Sequence, residues 1–309
     1  MRCLVTGGCG FIGSHLTEAL VAAGHEVVVF DNLSSGHIEN LSAVAAKVRF
    51  VQGDIRDKHA LAGAMAGVAR VFHEAALVSV FESVSKPHDN HDINVTGTFN
   101  VLAAARDAGV RRVVMASTAA VYGNNPELPK REEMLPEPES PYGLGKLAGE
   151  YYLSIFARLY GLETVALRYF NVYGPRQDPR SMYSGVISRF VEAIRSGATP
   201  VIFGDGQQTR DFVFVKDVVA ANLLAADSGK VGAGETINIA TGKPTSLLSL
   251  LRLLKKVSGR RFKPEFQPLR KGDVRHSAAA IGKARNLLGY RPENTLEAGL
   301  RALWQSVEG

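Results

Sequence analysis

Cysteine is almost absent. The chain of 309 residues has two, Cys3 and Cys9. One falls in a strand-like segment and the other in the loop after it, so they are not expected to pair. Such sparing use fits a reducing compartment. Long apolar runs are missing as well. The apolar stretches are too short or too interrupted to span a bilayer. No basic-then-apolar leader precedes Cys3-Leu4-Val5. No membrane partner and a cytoplasmic location are therefore expected. The eight histidines are scattered, and none forms a His-Glu-x-x-His pattern. His88 and His91, with Asp89 and Asp92, read as a solvated helix start rather than a metal cluster, and no metal is expected. Basic residues outnumber acidic ones by 36 to 30. They come in scattered pairs, Arg111-Arg112, Lys255-Lys256 and Arg260-Arg261, with little aromatic interleaving. Solvated faces and a site for an anionic small molecule explain them better than nucleic acid. What remains is an ordinary globular composition, long enough for one large or two intimate domains.

The chain opens on a short buried strand, Met1 to Thr6, followed by Gly7-Gly8-Cys9-Gly10-Phe11-Ile12-Gly13 and a helix to about Ala23. Small residues there let the backbone turn tightly and let a pyrophosphate approach the helix N-terminus, where free N–H groups and the dipole favour anions. Gly-x-x-Gly-x-x-Gly is weak evidence alone, but following the first strand and opening a helix is the context that gives it meaning. Glu26 to Phe30 is a second strand, and Asp31 at its end holds the position of an acid that binds the adenine ribose hydroxyls. A carboxylate there repels a 2′-phosphate, which favours NAD over NADP. Strands at Val48–Gln52, Arg70–His73, Arg112–Ala116 and Thr164–Arg168 alternate with helices, including a long one from about His91 to Ala108. The alternation predicts an α/β fold with a doubly wound parallel sheet, in which ligands bind at the carboxyl ends of the strands. The glycines, Asp31, Asp54, Ala75, Ser117 and Thr118 all lie at such ends. Glu74 lies at one too, and beyond closeness to this loop the sequence gives it no acid–base partner. After Arg168 the elements shorten. We expect a nucleotide-binding domain over 1–170 and a smaller mixed α/β substrate domain over 171–309, with segments near 212–242 returning to the first.

Ser140-Pro141-Tyr142-Gly143-Leu144-Gly145-Lys146 reads as a helix start, with serine as cap and proline in the first turn. Tyr142 and Lys146 are four apart and share a face. An ammonium near a phenol favours the phenolate, so the tyrosine pKa is expected to fall, making it a base for a sugar hydroxyl. A surface tyrosine and lysine on an ordinary helix would show the same spacing. The surrounding motifs distinguish the two readings.

Taken together, those motifs resemble the extended short-chain dehydrogenase/reductase family over nearly the whole chain, most closely its UDP-sugar 4-epimerases. The matching stretches are residues 6–13, Asp31-Asn32-Leu33, Gly53-Asp54-Ile55, Asn94-Val95-Thr96-Gly97-Thr98 and Ser117 to Gly123. They continue with Tyr142/Lys146, Leu167 to Asn171, Arg210-Asp211-Phe212 and Gly272 to Ser277. The resemblance implies a Rossmann-type fold, a tightly held NAD and a homodimer built on the helices near 91–108 and 142–160. It places the triad on Thr118, Tyr142 and Lys146. It assigns NAD to Gly7, Gly10, Phe11, Ile12, Gly13, Asp31, Asn32, Leu33, Ser34, Ser35 and Gly36. Asp54, Ile55, Ala75, Ala76, Leu77, Asn94, Tyr142, Lys146, Tyr169 and Phe170 complete that set. Tyr142 would take the proton from the sugar 4-hydroxyl, Thr118 would bond the same oxygen, and Lys146 would hold the nicotinamide ribose.

The implied UDP-sugar site is Thr118, Tyr142, Asn171, Val201, Phe203, Arg210, Arg270, Asp273 and Ser277. The arginines would neutralise the diphosphate, and Asp273 would accept from the uridine ribose. Family dehydratases and decarboxylases carry a glutamate where this chain has Ala120, which counts against both. A small residue at the place of Ser277 leaves room for an N-acetyl group. The stretch ending there looks like bacterial UDP-N-acetylglucosamine 4-epimerases. UDP-N-acetylglucosamine and UDP-N-acetylgalactosamine are thus the expected pair, with UDP-glucose and UDP-galactose open. A UDP-glucuronate 4-epimerase and a catalytically silent NAD-sensing protein are the alternatives. Ala280 departs from the family pattern and is expected to loosen the loop that carries Ser277.

Overall fold

The computed structural model describes residues 1–178, 185–269 and 275–308. In chain order the elements begin β1 (Arg2–Thr6), α1 (Phe11–Ala22), β2 (Glu26–Asp31), β3 (Val48–Gln52), α2 (Lys58–Met65) and β4 (Arg70–His73). Next come α3 (Val80–Ser85), α4 (Pro87–His91), α5 (Thr98–Asp107), β5 (Arg112–Thr118), α6 (Pro141–Tyr160) and β6 (Glu163–Tyr169). These strands pair in parallel in the order β6-β5-β4-β1-β2-β3. Apart from the edge strand β3, whose residues are half-buried or exposed, they are nearly all buried, as expected of strands covered on both faces. One core, with Leu16, Val29, Phe72 and Val114, fills one face, and a second, with Leu61, Met65, Val113 and Phe156, fills the other.

The long helix read near 91–108 is present and carries a π-helical turn. That turn, Asp92–Gly97, lies between α4 and α5. That widening turns Asn94 inward, where its amide bonds both the N–H and the carbonyl of Leu77, each at 2.9 Å. The loop after β4 is thereby tied to the helix, and π turns often serve such functional positions.

The rest of the chain supplies β7 (Asn171–Tyr173), α7 (Val186–Ser196), β8 (Val201–Phe203), β9 (Thr209–Arg210), β10 (Phe212–Phe214) and α8 (Val215–Asp227). It ends with β11 (Ala233–Ile239), β12 (Thr245–Ser246), α9 (Leu247–Ser258), β13 (Glu265–Gln267), α10 (Gly282–Leu288) and α11 (Leu296–Glu308). β11 joins β6 in parallel, giving the main sheet seven strands. β10 does not reach that sheet and pairs with β7. A third core, with Tyr173, Phe190, Phe214, Leu254, Leu303 and Trp304, holds α7, α9 and α11 around the small strands. Cys3 and Cys9 are both free and buried. Among the described residues no helix is long and apolar enough to cross a membrane. Nor, among them, do three His, Cys, Asp or Glu side chains group where they could hold a metal.

Candidate active site

The glycine loop serves packing before it serves any ligand. Gly7 adopts a φ of +69°, and a Cβ there would lie 2.7 Å from the Ala75 backbone N. A Cβ on Gly13 would lie 2.1 Å from the Gly7 carbonyl oxygen. Only glycine lets the loop after β1 lie against both the loop after β4 and the first turn of α1. Gly10 caps α1 without a side-chain bond, and no acidic residue lies in the first turn. The first-turn N–H groups, from Phe11 to Gly13, are therefore left to an anion.

Asp31 ends β2 with its carboxylate fixed, accepting from Cys9 N at 2.9 Å and Leu33 N at 2.8 Å. Gly36 lies against the same group, since a Cβ on it would be 3.1 Å from Asp31 Oδ2. Asn32 donates to Asp54 Oδ2 at 2.9 Å, and Ser34 N donates to Asn32 Oδ1 at 3.0 Å. Arg56 grips Asp54 through its own guanidinium and holds that carboxyl below its ordinary range. Ile55 packs into the sheet core beside Gly97. These residues fit NAD by the chemistry of the donor set. Unpaired helix N–H groups suit a pyrophosphate, and a fixed carboxylate at the end of β2 suits a ribose diol. Ser35 and Ala76 lie in the same two loops.

The helix read from Ser140 forms as the sequence predicts. Ser140 Oγ accepts from Gly143 N at 3.2 Å, Pro141 occupies the first turn, and Gly161 ends the helix in the left-handed region. Gly143 lets α6 sit on the Ala120 carbonyl, where a Cβ would come within 2.9 Å. This close seat brings Tyr142 beside Thr118, whose hydroxyl favours the phenolate. Lys146 is buried and donates to the Ala116 carbonyl at 2.9 Å. Thr118, Tyr142 and Lys146 thus converge at the carboxyl end of β5.

The expected fall in the Tyr142 pKa is not what the resting site shows. Burial pushes the phenol up, the Thr118 hydroxyl opposes this, and the Glu74 charge adds to the rise. The ammonium of Lys146 is spent on a backbone carbonyl, and its own pKa is lowered by burial to about 8. The helix spacing is visible in the sequence, but the desolvation that raises this phenol is not.

Glu74 is the residue the sequence passed over. Its carboxylate accepts from Tyr169 Oη at 2.9 Å, and Asn222 Nδ2 donates to the same phenol at 2.7 Å. The partners come from β6 and α8, far along the chain, so no local pattern signals the contact. Phe170, next to Tyr169, packs against Val121, Tyr122 and Leu147.

Of the residues expected on the substrate side, Asn171, Val201, Phe203 and Arg210 lie in the small strands. Alternation along β8 puts Val201 and Phe203 on one face and Ile202 in the core. Asn171 opens β7 and donates weakly to the Asp211 carbonyl at 3.4 Å. Arg210 curls over its own strand, donating to Thr209 O at 2.9 Å and Arg275 O at 3.3 Å. Ser277 N donates to Thr209 O at 3.1 Å, so Arg210 and Ser277 lie on adjoining backbones. Arg270 and Asp273 lie outside the described residues.

The segment after Ser277 is held through its main chain. Lys130 N donates to Ala278 O at 2.8 Å and Ala280 N to Lys130 O at 2.9 Å. Ala279 packs with Leu147 and Val121.

The epimerase model, described as the NAD dependent epimerase/dehydratase family, matches residues 3–240. A UDP-glucose 4-epimerase of Mycolicibacterium smegmatis is 45% identical over 305 residues, 97% of this chain and 96% of that one. The structure of a Thermotoga maritima UDP-glucose 4-epimerase with UDP-glucose superposes with a TM-score of 0.94 at 42% identity, covering 100% of this chain and 99% of that one. A UDP-N-acetylglucosamine 4-epimerase from Methanobrevibacter ruminantium, in complex with UDP-N-acetylmuramic acid, gives 0.95 at 38%, covering 99% and 98%.

Proposed function

The chain belongs to the NAD dependent epimerase/dehydratase family, and from that membership we propose that it inverts C4 of UDP-hexoses, with UDP-N-acetylglucosamine and UDP-N-acetylgalactosamine as its preferred pair. The observation that carries the reading is the meeting of Thr118, Tyr142 and Lys146 at the carboxyl end of β5. Reversible hydride exchange at C4 is the chemistry NAD supplies when bound. Tyr142 Oη takes the 4-hydroxyl proton and later returns it. Thr118, beside that phenol, holds the same sugar oxygen. Lys146 keeps a positive charge at the site, which favours the phenolate once a substrate hydroxyl shares its proton. Arg210 answers the diphosphate charge, and the face of Val201 and Phe203 takes the uracil.

The N-acetyl preference rests on Ser277. It is half-buried, small and carried on a backbone secured to Thr209. Proton NMR of the purified protein with UDP-N-acetylglucosamine and no added NAD should show the C4 epimer appearing. Conversion of UDP-glucose alone would keep the epimerase and discard the preference. Turnover of UDP-glucuronate alone would select the carboxylate substrate. Ser277→Tyr should cost the N-acetylated substrates roughly 10- to 100-fold in kcat/KM through overpacking and leave UDP-glucose within a few fold.

A homodimer belongs to the same proposal. Leu144, Tyr151 and Leu159 lie exposed along α6, and Phe99 lies partly exposed on α5. The spacing 144, 151 and 159 forms a helical stripe suited to a second copy. Light scattering at micromolar concentration should give twice the chain mass, and a single chain mass would rule the dimer out.

A further inference from the structure

We propose that Glu74 is a positioning residue of the reaction centre, its carboxyl held by Tyr169 across the end of β5 so that it governs the charges of Tyr142 and Lys146. The register places it there. His73 pairs with Met115, so Glu74 falls beside Ala116, whose carbonyl takes the Lys146 ammonium. Tyr169 pairs with Thr118 on the other side of β5. The hydrogen bond from Tyr169 to Glu74 therefore spans the strand that ends at Thr118.

While Glu74 is a carboxylate the direction of that bond is fixed, because a carboxylate only accepts. Asn222 donates into the Tyr169 oxygen, and Val218 O takes another proton of the same amide. The phenol proton is then free to go to Glu74. The groups facing Glu74 are Tyr169 from β6 and Tyr142 and Lys146 from α6, with the neutral Asn222 of α8 behind Tyr169. On the β1 side its N–H donates to the Thr6 carbonyl. Neighbouring His73 takes no part. It lies between Thr6 Oγ1 at 2.8 Å and Thr98 Oγ1 at 3.0 Å, and burial lowers its pKa to about 3.

Burial raises the Glu74 carboxyl to about 7, against the Tyr169 bond and the Lys146 charge. Around neutrality it therefore changes charge. As an anion it opposes the Tyr142 phenolate and supports the Lys146 ammonium. Removing the charge should lower both pKa values.

This inference rests on Tyr142 being the base, and the test separates the two. The pH profile of kcat/KM would be measured for the holoenzyme, Glu74→Gln, Tyr169→Phe and the double variant. Tyrosinate absorbance would be titrated in each against a Tyr142→Phe background. In Glu74→Gln both limbs of the profile, and the Tyr142 tyrosinate signal, should move to lower pH by about one unit, the size of one nearby charge at an effective dielectric of about 20. Tyr169→Phe removes a donor that favours the carboxylate. It should shift the acid limb the same way, and add no shift once Glu74→Gln is present. Limbs that stay in place while only the amplitude falls would overturn the role of Glu74. Turnover that survives Tyr142→Phe would instead overturn the base on which it rests.

Discussion

Tyr142→Phe should lower kcat by about 100- to 10,000-fold, the range removed with a general acid–base group, while thermal stability and bound-nucleotide content stay near those of the unaltered protein. The phenol lies in the first turn of α6, beside Thr118. Losing one hydroxyl leaves the Thr118 oxygen its bond from Ala120 N at 3.1 Å. The fold therefore loses little, and the reaction loses the atom that moves the proton. NMR initial rates, beside a melting curve, check both halves of the expectation. Unchanged turnover would sink the mechanism. A collapse of the melting temperature would show instead that Tyr142 is structural. The resting phenol is held above its ordinary pKa by burial. The unaltered enzyme should accordingly gain activity as pH rises through neutrality, because more of the base is then available.

Local patterns carry their reading where the physics is local. Ser140, Pro141 and Gly161 set both ends of α6 through bonds within a few residues, and the helix lies where those residues place it. The strands β1, β2, β4, β5 and β6 likewise follow buried, largely apolar runs between turn signals, because a strand covered on both faces has little room for polar groups, whereas the edge strand β3 is only half-buried. The π turn at Asp92–Gly97 leaves no such mark. It exists because Asn94 reaches Leu77 across the interior. β11 joining β6 and β10 turning to β7 are equally non-local choices. At the site, the helix spacing of Tyr142 and Lys146 is visible in the sequence. The direction of the tyrosine pKa is not, since it depends on how much water α6 excludes against β5. Glu74 shows the same limit, with partners about one hundred residues or more away.

The largest expected loss of stability comes from a pair beneath the triad. Arg168 and Glu150 meet at 2.7 Å with each side chain 3% exposed. Arg168 Nε adds a second bond to Glu150 at 2.9 Å, and its Nη1 donates to Tyr122 Oη at 2.9 Å. Ser117 Oγ donates to the same carboxylate. Tyr122 Oη passes its proton to Asn238 Oδ1 at 2.7 Å, and Asn238 reaches the Lys130 carbonyl at 3.0 Å. Glu150 lies one turn beyond Lys146, Ser117 just before Thr118, and Lys130 beside the run after Ser277. Arg168→Met would leave the Glu150 charge buried without its partner, at a cost of about 3–5 kcal/mol. For a chain of this size that is a fall in Tm on the order of 5–10 °C. Replacing both, as Glu150→Gln with Arg168→Met, should recover much of the loss, because the stranded charge and not the missing attraction is the main penalty. Calorimetry of the single and double variants decides it. If the double variant melts no higher than Arg168→Met alone, the penalty lies in the Tyr122 and Asn238 bonds that Arg168 organises. The fold would then depend on that polar chain, running from α6 to the segment beside Ser277, more than on the Arg168–Glu150 ion pair.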